Sequence, residues 1–264
     1  MSANMTPQGT LSLPVQHAAH SQQLGPFIKT YKTTFVRTII GSFIFLAAAI
    51  GFFIGSTTIQ DSAEMRVKII LLVFAVGFLA MTIYMAYSVI QVINQQIHLF
   101  QQGIVIEKGS QVQVFPWNQA SEVWQSITRR YQNGVYVGTT YLYTLRRTDG
   151  YQIKLNNLTK NVSDLGPAVA KGITQALVPR ALSAISAGQT LTFAPFSINL
   201  QGINDGRELI PWSQVQAVDV SAGRLSIKKV GSKATRSVAV AKIPNFLVFT
   251  IVAEQIQGMM GSRR

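Results

Sequence analysis

The sequence predicts a membrane-anchored α+β chain: a two-helix transmembrane hairpin followed by two tandem antiparallel β domains, each closed by a C-terminal helix. Three observations carry that expectation. Two long stretches are strongly apolar and free of charge; the phrase PWNQASEV at 116–123 returns as PWSQVQAV at 211–218; and around each phrase short β-like runs alternate with turn signals before a helix-like ending.

Of the 264 residues 48 % are hydrophobic and 12 % charged, which is too apolar for a disordered chain. Residues 1–37, with Pro7, Gly9, Pro14, Gly25 and Pro26 among Gln, Ser and His, show no sustained period and are expected to form a flexible tail. Residues 38–93 are expected to form the hairpin, with spans at 38–59 and 69–93. No Asp, Glu, Lys or Arg occurs in 38–60 or 69–106. A hydrocarbon layer of roughly 30 Å takes ~20 helical residues, and a soluble helix of such length keeps a charged face.

Lys29, Lys32 and Arg37 precede the first span and Lys108 follows the second, against Arg66 and Lys68 beside Asp61 and Glu64 in the connection. The excess favours a multi-pass integral membrane protein with both termini cytoplasmic. Neither span carries an acidic or basic group, so the pair has no residues for a solute path. Ala47, Gly51 and Gly55 recur every four residues, a strip where a second helix, of the same chain or of another copy, can approach closely.

Beyond the spans, 94–187 and 188–264 are expected to be two copies of one domain. In the first, runs at 97–106, 111–115, 122–131, 135–147 and 151–155 are separated by Lys108-Gly-Ser, Asn133-Gly134 and Asp149-Gly150. A two-residue Asp-Gly loop would mix charged and apolar partners on both faces. A three-residue loop with Gly150 left-handed pairs Leu145 with Ile153, Tyr143 with Leu155, Arg146 with Gln152 and Thr144 with Lys154, which separates them. The apolar set is expected to face inward with Trp124 and Tyr141. A helix then starts at Ser163-Asp164, shows Val169, Ile173 and Leu177 on one face, carries Pro179 and stops at Gly188. The second copy repeats the logic with runs at 224–230 and 234–241, a Gly231-Ser232-Lys233 turn, and a helix at 246–257 begun by Asn245.

The frames QGIVIEKGSQVQVFPWNQASEV and QGINDGRELIPWSQVQAV, with the IPN-plus-helix ending, resemble the bacterial PH-like domains, of the pleckstrin-homology superfold, found in uncharacterised membrane proteins. The resemblance implies two tandem PH-like sandwich or barrel domains of about seven strands and a C-terminal helix, often preceded by one or two hydrophobic spans. In it Pro116 and Pro211 set the entry to a strand or short turn, and Trp117 and Trp212 fill the same core position in each copy.

Catalytic ingredients are thin. His17, His20 and His98 are the only histidines and there is no cysteine, so neither a catalytic constellation nor a metal or other cofactor site is expected. Residues 94–264 carry eighteen Lys or Arg against eight Asp or Glu. The expectation is a non-catalytic module whose cytoplasmic tandem domains bind anionic lipid head groups or a membrane-associated protein. The alternative is a structural assembly subunit, including a homo-oligomer, with no ligand of its own. Nucleic acid is disfavoured, because no recognition helix is evident. Reading Asn133-Gly134 as a two-residue turn sets Arg129 opposite Gly138 and places Arg129, Arg146 and Lys154 on one outer face.

Overall fold

The computed structural model describes residues 11–59, 65–90, 95–231 and 237–261. In chain order these form α1 (Leu13–Ser21), β1 (Phe27–Lys32), the long helices α2 (Val36–Thr58) and α3 (Met65–Ile90), then β2 (Gln95–Phe100), β3 (Gly103–Lys108) and β4 (Gln111–Pro116). After a 3-10 turn at Trp117–Gln119 come β5 (Ala120–Gln132), β6 (Val135–Arg147), β7 (Gln152–Asn156) and α4 (Val162–Ser186). The second copy holds β8 (Leu191–Phe193), β9 (Phe196–Ile198), β10 (Gly202–Asn204) and β11 (Leu209–Pro211), a 3-10 turn at Trp212–Gln214, then β12 (Val215–Ser221), β13 (Arg224–Lys229), β14 (Ser237–Ala239) and α5 (Phe246–Gly261). The chain is α+β, with two apolar helices and antiparallel sheets.

Each copy is a four-stranded sheet, a three-stranded sheet and a helix: β1-β2-β3-β4, β5-β6-β7 and α4, then β8-β9-β10-β11, β12-β13-β14 and α5. The sheets are open rather than closed into a barrel. One core joins Tyr31, Ile97, Ile104, Phe115, Trp117, Tyr143, Leu155 and Ile173; the other joins Phe196, Ile203, Trp212, Leu225, Phe249 and Val252.

The repeat explains the recurring glycine. A Cβ on Gly103 would lie 2.8 Å from the Phe115 carbonyl oxygen, and one on Gly202 would lie 2.1 Å from that of Ile210. Only a residue without a side chain lets the second strand of each hairpin return so close. Trp117 and Trp212 are both buried, and each indole Nε1–H donates to a carbonyl in the preceding turn, Gln101 or Asn199, at 3.0 Å.

Matching the copies strand for strand corrects the expected boundary at 94. β8 and β9 are joined only by Ala194 and Pro195, whereas their counterparts β1 and β2 are separated by both long helices. The helix pair is an insertion between the first two strands of the first copy. By chain contacts the molecule divides into two compact units, one taking in the described residues up to Tyr31, Ile97–Ile106 and those from Val112 on, the other Lys32–Gln96 with Glu107–Gln111.

The expected flexible tail is also corrected. Ser12 caps α1, accepting from the Val15 amide, and Val15, Ala19 and Leu24 cover Phe100 and Val105 on the side of the sheet away from the core. β1 follows and sends Tyr31 into the main core. A nine-residue helix with two buried apolar positions is too short to leave a period in the sequence. Pro7 and Gly9 lie outside the described residues.

Within Thr38–Thr58 and Met65–Ile90 the mean hydropathy over 18 residues reaches 2.2 and 2.5, and both helices are long and apolar enough to cross a membrane by length and composition. The expected end of the second span, 91–93, lies outside the described residues, as do Asp61 and Glu64. α2 and α3 meet through Phe45, Phe52, Phe74 and Phe78, with Phe52 stacked on Phe74 and on Phe78 at 5.4 Å. The small-residue strip is not this seam. Gly55 faces Leu71, but Ala47 is exposed and a Cβ on Gly51 would meet nothing within 4 Å. The interdigitating rings rotate the strip away.

Candidate functional site

The register around Asp149-Gly150 follows from burial. Leu145 pairs with Ile153, Tyr143 with Leu155, Arg146 with Gln152 and Thr144 with Lys154, and Gly150 has φ +86°. Arg147 clips this turn shut: its guanidinium donates to both Asp149 carboxylate oxygens and to the Val114 carbonyl at 2.8 Å. Those bonds from Arg147, then the Tyr151 amide, hold the exposed Asp149 carboxyl down at about 2.

On the outer face of this sheet the side chains stand in cross-strand rows. One row is Glu122, Arg146 and Gln152; the next is Trp124, Thr144 and Lys154. Arg146 Nη1 donates to Glu122 Oε2 at 2.8 Å while its guanidinium lies 5.0 Å from the Trp124 ring. Turned so that its oxygen faces Arg146, the Gln152 amide accepts from Nε at 2.9 Å and Nη2 at 2.7 Å. Arg146 is therefore a fully partnered residue, and Trp124 lies beneath it on the outer face rather than in the core. Val123 takes the inward place opposite Leu145, and the bulge between Ala120 and Glu122 lets Ala120 face the core as well.

A second bulge breaks the expected group of three cations. Asn133 and Gly134 form a two-residue turn with φ of +50° and +79°, flanked by the Gln132–Val135 pair. The register then slips between Arg130 and Tyr131, so Arg130 falls opposite Gly138 and Arg129 opposite Thr139. Arg130, not Arg129, shares the parity of Arg146 and Lys154. Gly138 has φ +141° at the slip, a signal present in the sequence as a glycine inside a strand run.

What the sequence reading missed is the length of the β5–β6 hairpin. Its strands have 13 residues each, against seven and six for their counterparts β12 and β13. β7 covers β6 only as far as Leu142, after which the Asn157 amide caps the edge, accepting from the Tyr141 amide at 2.7 Å and donating to the Thr139 carbonyl at 2.8 Å. Beyond this a two-stranded ribbon projects. Ile127, Tyr131, Val135, Tyr136 and Val137 are each 51–66 % exposed, with Tyr131 and Tyr136 edge to face at 5.8 Å. Arg129 and Arg130 stand exposed among them, and no Asp or Glu occurs from Val123 to Thr148. Among the described residues neither arginine has an acidic partner.

A cleft in the second copy, lined by Pro195, Arg224, Ser237 and Lys242, offers less, since Arg224 Nε and Nη2 donate to Ser237 Oγ and its carbonyl at 2.7 and 2.6 Å. Among the described residues no group of three His, Cys, Asp or Glu could hold a metal ion. The model of a family of unknown function, DUF6585, matches residues 1–260. No curated protein and no solved structure matches the chain.

Proposed function

The chain belongs to the family of unknown function DUF6585, and we propose from its own residues that it is a non-catalytic interaction module whose helix pair anchors it in a bilayer and whose β5–β6 ribbon docks on anionic lipid head groups. The observation that carries this is the ribbon itself: exposed Tyr, Val and Ile side chains interleaved with two arginines and no acid. Soluble surfaces rarely leave apolar side chains clustered in this way without a partner. Tyr favours the head-group level of a bilayer, and each basic residue near an anionic leaflet adds about 1 kcal/mol.

Two features support the wider reading. Seven strands in two sheets followed by a helix, twice over, agree with a PH-like domain. The inserted helix pair ties the first copy to the bilayer at two points, through the three residues between β1 and α2 and the four between α3 and β2. We place both termini in the cytoplasm on the excess of Lys and Arg flanking the pair. The alternative, an assembly subunit, rests on a different part of the molecule, the edge of β12.

The test uses the absence of cysteine. In the full chain reconstituted into vesicles, Gln132→Cys labelled with a polarity-sensitive dye should report an apolar environment when phosphatidylserine is present and water when phosphatidylcholine is the only lipid. Salt should weaken the signal, since the Debye length falls from ~10 Å at 0.1 M to ~3 Å at 1 M. Arg129→Gln with Arg130→Gln removes about 2 kcal/mol and should lower the docked-to-free ratio roughly thirtyfold. A dye in water with either lipid would sink the proposal.

A further inference from the structure

The two copies are joined by an asparagine used as if it were one more strand residue. Asn245, just before α5, is held in the left-handed region with φ +52°. Its side chain accepts from the Val123 amide at 2.8 Å and donates to the Ser121 carbonyl at 2.7 Å, and its own amide donates to the Val123 carbonyl at 2.8 Å. An Asn amide supplies a donor and an acceptor side by side, so it matches the edge of a strand. Asn157 does the same to β6 within the first copy.

Both halves of this joint recur in the chain without their mates. Asn161 is the counterpart of Asn245: it directly precedes α4, has φ +57°, is exposed, and makes no capping bond with its side chain. In the repeated phrase Ser121 and Val123 correspond to Gln216 and Val218. The bulge that shapes the first edge, between Ala120 and Glu122, recurs between Val215 and Ala217. β12 and β13 are joined by the two-residue turn Ala222-Gly223, so Ser221–Arg224 is a hydrogen-bonded pair and, counting back by alternation, Val218–Ile227 is not. The Val218 N–H and C=O therefore point out of the sheet edge, where among the described residues nothing meets them. The Gln216 carbonyl accepts one bond, 3.1 Å, from Gln257 Nε2, and keeps a second lone pair.

We infer that the chain assembles with further copies of itself head to tail, the Asn161 plug of one molecule seating on the Val218 edge of the next as Asn245 seats on Val123 within the chain. The intramolecular joint supplies the template, and the two unfilled halves differ from each other, so the contact is heterologous and repeats from molecule to molecule. It also closes a bare sheet edge of the kind that proteins otherwise protect.

Two differently tagged full-length chains, one with Lys160→Cys and one with Gln216→Cys, test this in native membranes under mild oxidation. A mixed interchain disulfide is expected, and it should be lost when Asn161→Gly is added to the first chain, a change that keeps the left-handed backbone and deletes the amide. In detergent the same glycine variant should shift the parent's oligomers to monomer. The inference falls if no mixed adduct forms, if the adduct survives Asn161→Gly, or if a chain carrying both cysteines closes the disulfide only on itself.

Discussion

At the scale of single residues, two glycines show what a repeat cannot reveal. A Cβ on Gly166 of α4 would lie 2.1 Å from the Tyr143 ring, and one on Gly172 would lie 2.4 Å from Trp117 Nε1. The helix sits on its sheet at the distance set by these two bare positions. The Tyr143 hydroxyl is buried with no hydrogen-bond partner among the described residues, and burial raises its pKa above the ordinary tyrosine value. Gly166→Ala should therefore destabilise by at least the ~1–3 kcal/mol of an overpacked core, read as a lower urea midpoint. Gly258→Ala in α5, whose added methyl meets nothing within 4 Å, should gain up to about 1 kcal/mol of helix propensity. Equal midpoints for the two variants would show that α4 can lift off its sheet. Trp117 and Trp212 were legible because a large side chain in a repeated frame announces a core position. Gly166 and Gly172 were not, because their need arises only when a helix is laid against a ring.

At the scale of elements, alternation was legible wherever one face was buried, and it failed at each bulge. The 148–150 loop could be sized because a wrong length would have put Lys154 opposite Leu145. Nothing comparable marks the bulge after Ala120, and only Gly138 inside a strand run marks the slip after Arg130; because 122–130 pair without a break, that slip moved Trp124 outward and Arg129 off the face of Arg146 and Lys154 together. The projecting ribbon was hidden for a related reason, since an exposed Tyr-Val run has the same pattern as a core strand. β1 escaped because its partner β2 lies beyond two long helices. The strand-by-strand match of the copies yields a sharp expectation. A chain that runs from 11 to 32, continues through a short turn like Ala194-Pro195 and resumes at 95 should fold without the helix pair. A chain starting at 94 lacks Tyr31 from the core and α1 from Phe100 and Val105. Circular dichroism and thermal melting should give a cooperative transition for the first and aggregation or a broad loss of signal for the second. A chain from 94 that melts as sharply as the spliced one would show β1 to be dispensable.

At the scale of the molecule, Asn245 makes two small domains into one. Its side-chain bonds are worth roughly 0.5–1.5 kcal/mol each, and they tie the start of α5 to β5 residues 122 and 124 positions away in sequence. Asn245→Gly should lower stability by about 1–3 kcal/mol and split a single unfolding transition into two, followed through Trp117 and Trp212 separately by replacing Trp124 and the other of the pair with Phe. A single unshifted transition would mean that α4 packing against α5 couples the halves by itself. The inserted helix pair adds an order of events during synthesis. The ribosome delivers β1 first and its neighbour β2 only after both apolar helices have emerged, so the first strand waits unpaired until the whole pair has been made. Because β1 and β2 belong to one sheet, the anchoring we propose requires both to finish on the same side of the bilayer. Under that proposal, a nascent chain that inserted one helix and missed the other would strand β1 across the membrane from β2, could not complete the first domain, and would present an open sheet to proteases. If the pair anchors the chain as proposed, domain folding thus acts as a proofreading step on its insertion.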